Sequence, residues 1–244
     1  MKLGIYIAHW KRLDLFRVVL KNWRAVEAEL GADFAIAVAG PSSKQDRRLC
    51  EEFRCRYVAT ANSPLGAKWN SAVQLLKDCD VLCVTGSDDL LSAPAISSLM
   101  GAMETHEMAG FLDLYLYAPA TTSLLYWPGY GAPRKGETIG PGRMLSHRLM
   151  DALDWQPVEA GLERDLDRSM FQRLAPLDYE LATFTSSTRG SAGVVVDVKT
   201  KVNINSMARF REHARGYREV AYPSRMLAQH FGPDMFDALS EVNP

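Results

Sequence analysis

A short apolar run that ends in two adjacent carboxylates constrains the fold of this chain more than any other feature. The run covers residues 81–85 and is followed by Gly86, Ser87, Asp88 and Asp89. Because it is apolar and rich in β-branched residues, it predicts a buried parallel strand. In open α/β sheets, ligands bind at the carboxyl ends of such strands. The two carboxylates therefore indicate either a divalent metal that holds a phosphorylated substrate or a turn with solvated aspartates.

Composition narrows the class of protein. The chain has 244 residues, 47% hydrophobic and 23% charged, so it can bury the core of one large α/β domain. Its net charge of −1 gives it no general attraction to nucleic acid or anionic membranes. The four cysteines match no zinc-binding spacing and are expected to be reduced, buried thiols. Because the sequence shows neither a signal peptide nor an apolar run of membrane-spanning length, a cytoplasmic protein is expected.

The first ninety residues alternate between two kinds of pattern. Short apolar runs predict strands, and longer segments with apolar residues at helical spacing predict helices. The predicted strands cover 3–8, 34–39, 56–60 and 81–85, and the predicted helices cover 13–30, 46–53 and 65–77. This alternation predicts a parallel sheet with helices on both faces.

The rest of the chain has a more mixed pattern. It predicts helices over 94–108, 146–153, 161–175 and 205–217, the last as a terminal helix, and strands over 110–117, 123–127 and 192–198. Residues 130–142 are rich in glycine and proline and predict a mobile loop. No linker separates the two parts. We therefore expect a single domain over 1–244, with a nucleotide-binding half at 1–92 and an acceptor-binding half at 93–244.

Polar loops follow all four predicted strands of the first half. They cover 8–11, 40–43, 62–70 and 86–89. Because the carboxyl ends of parallel strands meet at one edge of a sheet, a nucleotide along that edge would contact all four loops. The chain has neither the glycine-rich dinucleotide fingerprint nor a phosphate loop, so the sequence supports neither a dinucleotide-binding fold nor a P-loop ATPase.

Three of these loops have an order and spacing that resemble GT-A-type glycosyltransferases of the inverting, family-2-like group. The matching segments are 7–12, 62–71 and 86–89. The resemblance implies an α/β, GT-A-like (Rossmann-like) fold, with a mostly parallel sheet flanked by helices and a mixed α+β acceptor-binding half. It also implies a nucleotide-diphosphate sugar donor, foremost a UDP-sugar, and an Mn²⁺ or Mg²⁺ ion on Asp88 and Asp89. The implied donor-binding residues are Ala8, His9, Trp10, Asn62, Gly66, Lys68, Asn70, Ser87 and Asp88.

Two positions depart from the family pattern. Ala39 and Gly40 stand where the family places an aspartate that reads the nucleobase, so the identity of the base stays open. Gly86 replaces the first aspartate of the metal motif. This replacement leaves the two aspartates at 88 and 89 to carry the ion, with the serine at 87 as a weaker helper.

Two segments of the second half resemble the family more faintly. Residues 140–147 resemble the glycine-rich segment that lines the acceptor site. Residues 161–174 resemble the segment with the catalytic base, and counting back from its terminal Arg-Leu pair puts that base at Asp167, with Asp165 as the alternative. An inverting transfer needs such a base, because the acceptor hydroxyl loses its proton as it attacks the anomeric carbon. Without that role, these carboxylates would be a solvated helix start.

Aromatic and basic residues of the second half are candidates for binding the acceptor. They are Trp127, Tyr130, Arg143, Arg211 and Arg215. The two aromatic residues flank a turn and either stack on a sugar or base or fill the core. The last two arginines and Arg218 are spaced to share one helix face, which either holds phosphates or is solvated. His213 and His230 are candidates for an additional metal ligand.

The sequence therefore predicts a metal-dependent glycosyltransferase that moves a sugar from a nucleotide-diphosphate sugar to an acceptor hydroxyl with inversion. The acceptor is either a glycan or a hydroxymethylated pyrimidine in phage-type DNA, since an arginine-rich face would suit a phosphodiester backbone. A nucleotidyltransferase is an alternative, but it usually has a glycine-rich loop after its first strand, and residues 7–13 contain no glycine. A non-catalytic module that binds nucleotide sugars is the other alternative.

Overall fold

The computed structural model describes residues 1–186, 192–201, 203, 207–213 and 216–242. The strands are β1 (Leu3–Ala8), β2 (Phe34–Gly40), β3 (Arg56–Ala59), β4 (Val81–Gly86), β5 (Asp89–Leu91), β6 (Met108–Phe111), β7 (Leu114–Ala118), β8 (Ser123–Trp127), β9 (Met144–Ser146), β10 (Leu181–Phe184), β11 (Val195–Val198) and β12 (Arg218–Glu219). The helices are α1 (Leu13–Leu30), α2 (Lys44–Glu52), α3 (Leu65–Val73), α4 (Ala93–Ala102), α5 (His147–Ala152), α6 (Leu166–Leu174), α7 (Met207–His213), α8 (Pro223–Phe231) and α9 (Pro233–Ser240).

Seven strands form the main sheet, in the order β10-β6-β9-β4-β1-β2-β3. Every neighbouring pair is parallel except the two pairs of β9, which runs antiparallel to β4 and β6. The predicted α/β fold with a mostly parallel sheet is thereby confirmed. At the end of β1, Ala8 lies beside Ala39 on one side and Gly86 on the other. The loops that follow these strands consequently emerge together at one edge of the sheet.

Alternate residues of the central strands pack into cores on opposite faces of the main sheet. In β1, Leu3, Ile5 and Ile7 join one cluster of buried apolar residues, whereas Tyr6 joins the other. Helix α1 covers the first face with a buried stripe that includes Trp23, and α3 covers the second face. Burial on both faces explains why these strands are continuous apolar runs in the sequence.

A second sheet of five strands, in the order β12-β8-β7-β11-β5, packs beside the first. Strand β5 begins at Asp89, directly after β4 ends at Gly86. The chain therefore passes from one sheet to the other at the paired carboxylates. Strand β5 pairs antiparallel with β11, which puts Asp89 opposite Asp197. The sequence did not predict this pairing.

The predicted strand over 110–117 is two strands in different sheets, β6 and β7. Asp113 lies between them and is buried. Its carboxylate accepts hydrogen bonds from the hydroxyl of Tyr126 at 2.6 Å and from the backbone N–H of Ser186. A buried carboxylate needs such donors, so the chain turns here instead of continuing as one strand.

The predicted helix over 161–175 begins only at Leu166. The preceding residues lie along the start of α3. The backbone carbonyls of Leu162 and Ala160 accept hydrogen bonds from the N–H groups of Gly66 and Ala67, respectively. These N–H groups belong to the first turn of α3 and have no partner inside that helix. The non-helical segment thus serves as the cap of α3, which local periodicity does not reveal.

The prediction of one terminal helix over 205–217 is wrong at its carboxyl end. Helix α7 ends at His213, Arg218 begins β12, and two further helices follow. The glycine at 216 adopts a positive φ of 76°, a conformation that helices do not continue through. None of the helices within the described ranges has both the length and the apolar composition needed to cross a membrane.

Candidate active site

Two adjoining cavities open at the edge of the main sheet where β1 and β4 end. The front cavity, of about 450 Å³, is lined by the loops after β1, β3 and β4 and by the start of α3. The back cavity, of about 500 Å³, is lined by the second sheet, residues from 130–141 and the start of α6. Asp88, Arg164 and Lys199 line both cavities. The two spaces therefore meet just beyond the carboxyl end of β4, at a place we call the junction.

The front cavity brings together six of the nine predicted donor-binding residues, which are Ala8, Trp10, Asn62, Lys68, Ser87 and Asp88. They come from three loops far apart in the sequence, and the parallel pairing of β1 with β4 aligns two of those loops. The indole of Trp10 is 42% exposed. It therefore offers an open aromatic face on which a planar group can stack.

His9 is a predicted donor-binding residue that lines neither cavity. Its imidazole is fully buried, stacks on the ring of Phe16 at 4.1 Å and lies 2.8 Å from a carboxylate oxygen of Asp46. Burial lowers the pKa of His9 to about 4, although Asp46 opposes this shift. The ring is therefore neutral near pH 7, and it supports the loop that carries Trp10.

Two other predicted donor-binding residues also line neither cavity and hold α3 against its neighbours. The side-chain amide of Asn70 donates to the carbonyl of Val158 at 2.8 Å. Gly66 packs so closely on Glu159 that a Cβ atom would lie 2.1 Å from its carbonyl oxygen. Only glycine fits at this close approach. The resemblance thus identified positions that the structure explains by packing.

Lys68 places a buried ammonium group at the floor of the front cavity. Its Nζ donates to the carbonyl of His9 at 2.5 Å and to Oδ1 of Asn62 at 3.0 Å. The same nitrogen lies 5.4 Å from the centre of the Trp10 ring. Burial lowers the pKa of Lys68 to about 8. The group therefore changes charge only slightly above physiological pH.

Asp88 stands at the junction and is held by donors from two directions. Its Oδ2 accepts from a guanidinium nitrogen of Arg12 at 3.0 Å and from the amide nitrogen of Asn203 at 2.5 Å. Arg12 adopts a positive φ of 56°, a strained conformation for a non-glycine residue. The guanidinium of this residue also donates to the hydroxyl of Ser87 at 3.0 Å. The carboxylate of Asp89, by contrast, accepts a hydrogen bond from the backbone N–H of Gly86 at 2.5 Å.

Asp197 and Lys199, which the sequence analysis did not select, complete the junction. Strand β11 carries Asp197 opposite Asp89, and its Oδ2 accepts a hydrogen bond from Lys199 in an ion pair. Its other oxygen is buried and has no hydrogen-bond partner within the described residues. Burial, followed by the charges of neighbouring carboxylates, raises the pKa of Asp89. The available signal was a single aspartate inside the valine run 194–198.

The residues at the junction fit a divalent ion that is shared with a substrate. No group of three or more His, Cys, Asp or Glu side chains within the described ranges forms a ready-made metal site. However, Mg²⁺ is usually held by one or two carboxylates together with substrate phosphates. The unpartnered oxygen of Asp197 beside Asp88 and Asp89 suits that arrangement. His230 lines neither cavity, and the side chain of His213 lies outside the part of the structure that is described.

Asp167 lies on the wall of the back cavity, in the first turn of α6. Its Oδ2 accepts hydrogen bonds from the hydroxyl of Tyr130 and from Arg134, the latter at 3.3 Å. Burial alone would raise the pKa of Asp167, but the hydrogen bond from Tyr130 and the charges of Arg143 and Arg134 lower it overall. The carboxylate is therefore ionised at neutral pH and fixed in direction.

Asp165 also lines the back cavity, two residues earlier, and it is exposed. It precedes α6 with a positive φ of 59°. Such a conformation is costly for a non-glycine residue and is often found at functional sites. Its carboxylate forms no hydrogen bond with any described residue, so its oxygens are available to a ligand in the cavity. The structure therefore brings both predicted base candidates to the same cavity.

Aromatic side chains form part of the wall of the back cavity. Trp127 packs edge-to-face against Tyr130 at 4.9 Å and against Phe210 at 5.5 Å. The guanidinium of Arg134 lies 3.6 Å from the centre of the Tyr130 ring. Trp69 contributes a further ring from α3. Both aromatic residues predicted to bind the acceptor therefore line this cavity.

The predicted arginines that the structure describes lie in different surroundings. Arg143 is fully buried and donates to Thr138 and to the carbonyl of Asp167 at 2.8 Å, so it supports the cavity wall. The shared helix face is wrong, because Arg218 lies on β12 and stacks over a tyrosine ring, whereas Arg211 lies on α7. Arg211 pairs with a glutamate on the surface, and Arg215 lies outside the described residues.

Solved structures with a similar fold include the following two. One is TarS from S. aureus, a GT-A-type glycosyltransferase, with a TM-score of 0.59 and 13% identity over 81% of this chain. This match spans only 60% of the TarS chain. The other is 4-diphosphocytidyl-2C-methyl-D-erythritol synthase from Anaerococcus prevotii, a nucleotidyltransferase, with a TM-score of 0.50 and 9% identity over 76% of this chain and 89% of that one.

Sequence comparison adds no relative to these two structures. No protein-family model matches the chain, and no curated protein matches it by sequence. At such low identity the structural similarity shows the fold alone. The GT-A-like architecture inferred from the motifs is thus confirmed at the level of the fold.

Proposed function

We propose that this protein is a glycosyltransferase that moves a sugar from a nucleotide-diphosphate sugar to an acceptor hydroxyl with inversion. The observation that carries the proposal is the meeting of two cavities at Asp88, with Asp165 and Asp167 on the wall of the back cavity. A donor in the front cavity and an acceptor in the back cavity would bring the anomeric carbon to the junction. A single displacement at that carbon inverts its configuration.

The features of the front cavity support a nucleotide-diphosphate sugar as donor, and a UDP-sugar is the first to test. Trp10 offers a face for the base, and Lys68 supplies positive charge. Asp88 and Asp89, with Asp197 beside them, would hold an Mn²⁺ or Mg²⁺ ion. When bound, such an ion supplies a Lewis acid that offsets the charge of the diphosphate.

Asp167 is the base in this proposal, and Asp165 is the alternative. As the acceptor oxygen bonds to the anomeric carbon, its proton passes to the carboxylate. The bond from that carbon to the diphosphate breaks, and its electron pair stays on the diphosphate oxygen. The hydrogen bonds from Tyr130 and Arg134 support this role, because they keep Asp167 ionised and oriented. The same hydrogen bonds make Asp167 a weaker base, so Asp165 stays the alternative base.

A glycan is the acceptor that the back cavity favours. Its wall combines aromatic rings, among them Trp127 packed against Tyr130 and Phe210, with carboxylates that can accept hydrogen bonds from hydroxyl groups. A hydroxymethylated pyrimidine in DNA has less support, because Arg211 and Arg218 do not form one basic face. DNA therefore becomes the competing outcome of the test.

The test of the donor is a binding experiment. Calorimetric titration of UDP, GDP, ADP and CDP in the presence of Mn²⁺ should identify at least one ligand. In Asp88→Ala that affinity should fall sharply, because the variant removes the carboxylate shared by both cavities. Asp237→Ala, at an exposed position of α9, is the matched control and should bind as the wild type does. Equal affinity in all three proteins would contradict the proposal.

Product analysis separates glycosyl transfer from the alternatives. A glycosyltransferase releases a nucleoside diphosphate from a nucleotide sugar, whereas a nucleotidyltransferase releases pyrophosphate from a nucleoside triphosphate. The nucleotidyltransferase reading is kept because the fold is also similar to such an enzyme. A binding module would release neither product.

A further inference from the structure

Lys199 is a buried cation at the place where the two cavities meet. It follows β11, its side chain is only 8% exposed, and it lines both the front and the back cavity. Its backbone N–H donates to the carbonyl of Tyr117 at 2.6 Å, and its ammonium pairs with Asp197. An ammonium has three N–H donors. Within the described residues one of them is used, so the others remain for a ligand.

The other cationic side chains of the site are placed differently. Arg12 lines the front cavity alone and is engaged by Asp88 and Ser87. Arg134 lines the back cavity alone and is engaged by Glu137 and Asp167. The remaining cation at the junction, Arg164, is exposed. Among the described lining residues, Lys199 is thus the buried cation common to both cavities.

In the proposed transfer, the bond that breaks lies at this junction. We propose that Lys199 donates a hydrogen bond to the leaving diphosphate and stabilises the negative charge that develops on it; this inference rests on the proposed glycosyl transfer. The electron pair of the broken bond stays on the diphosphate oxygen, and the acceptor proton passes to the carboxylate on α6. A donor that is already oriented toward developing charge in a water-poor site gives the largest electrostatic benefit.

The surroundings of Lys199 hold it in place. Its ammonium pairs with the carboxylate of Asp197, and Asp88 lines the same two cavities. The ion pair with Asp197 holds the ammonium on a strand that is paired on both sides. A rigid strand positions a functional group better than a loop does.

The role of Lys199 is tested by calorimetric titration with two ligands. One is the nucleoside diphosphate that binds most tightly among UDP, GDP, ADP and CDP, and the other is the corresponding nucleoside without phosphates. Lys199→Gln should weaken binding of the diphosphate about 10- to 100-fold, the usual cost of a charge-assisted hydrogen bond. Binding of the nucleoside, which lacks phosphates, should stay within about twofold of the wild type. Lys199→Arg should retain most of the diphosphate affinity, because it keeps the charge. Lys201→Gln, two residues further and exposed, is the matched control and should behave as the wild type.

Each other outcome overturns the assignment. Unchanged diphosphate affinity in Lys199→Gln would refute the role of Lys199 while leaving glycosyl transfer intact. An equal loss for diphosphate and nucleoside would show that the residue only maintains the fold. If no nucleoside diphosphate binds the wild-type protein, both the proposed function and this inference fail. Should Lys199→Gln unfold, Lys199→Met, which keeps an aliphatic side chain of similar length without the charge, replaces it in the same titration.

Discussion

Acidification should destabilise this protein through His9, a fully buried residue that pairs with Asp46. Burial lowers the pKa of His9 from its ordinary value of 6.5 to about 4. Between these two values the unfolded chain binds a proton that the folded chain does not. The free energy of unfolding therefore falls as the pH decreases from about 6.5 toward about 4.

The size of the effect follows from the same two pKa values. Proton linkage over that interval gives a loss of about 2 kcal/mol when the pH falls from 7 to 5. The free energy of unfolding of a typical domain is only about 5–15 kcal/mol, so this loss is a large fraction of it. With a urea dependence of about 2 kcal/mol per molar, it would move the unfolding midpoint by about 1 M.

The assay is urea unfolding of the wild type and His9→Gln at pH 7 and pH 5. Glutamine can still donate to Asp46 but does not titrate, so carboxylates that titrate in both proteins cancel in the comparison. We expect the wild type to lose about 2 kcal/mol more than the variant on acidification. Equal losses in the two proteins would refute the buried, neutral imidazole. They would instead favour a charged His9 with access to the front cavity.

Two further predictions concern the chemistry of the cavities. Asp167→Asn should lower turnover about 10²- to 10⁴-fold and leave the affinity for the nucleoside diphosphate nearly unchanged, as measured by initial rates beside calorimetry. If Asp165→Asn shows that loss and Asp167→Asn does not, the base lies two residues earlier. Because burial lowers the pKa of Lys68 to about 8, the affinity for a nucleoside diphosphate should fall as the pH rises through that value. Lys68→Met should remove this pH dependence, and a wild-type affinity that stays flat between pH 7 and pH 9 would contradict a role for its charge.

Four of the seven strands of the main sheet, β1 to β4, could be predicted from the sequence because they are recognisable without their partners. The run predicted over 34–39 is observed as Phe34–Gly40, and the run over 3–8 as Leu3–Ala8. Strands buried on both faces are continuously apolar, so local composition is enough to identify them. The helices between them then predict that these four strands are parallel and share one sheet. The sequence does not predict β9 and β10, which are three and four residues long.

The junction could not be predicted because distant strands assemble it. Asp197 and Asp89 become neighbours only when β11 pairs with β5. The strand β5 is three residues long, which is too short for a periodic pattern. Lys199 becomes a candidate functional residue only because β11 pairs in this way and because two cavities meet beside it. No spacing along the chain encodes either feature.

The arginine face failed for a different reason. The helical spacing of Arg211 and Arg218 spans Gly216, where the backbone has a positive φ. A glycine inside a helical pattern can mark the end of the helix. The two arginines consequently belong to different elements, α7 and β12, although their spacing suits one helix face.

The charge of the back cavity bears on the acceptor as strongly as its shape does. Its wall includes five carboxylates and three cationic side chains, which are Asp88, Asp89, Asp165, Asp167, Asp197, Arg134, Arg164 and Lys199. A polyanion would therefore bring phosphates against an excess of carboxylates, at distances where salt screens little. A neutral sugar brings no such charge, and its hydroxyl groups can donate hydrogen bonds to carboxylates. The acidic excess and the aromatic wall thus favour the same acceptor, a neutral molecule rich in hydroxyl groups.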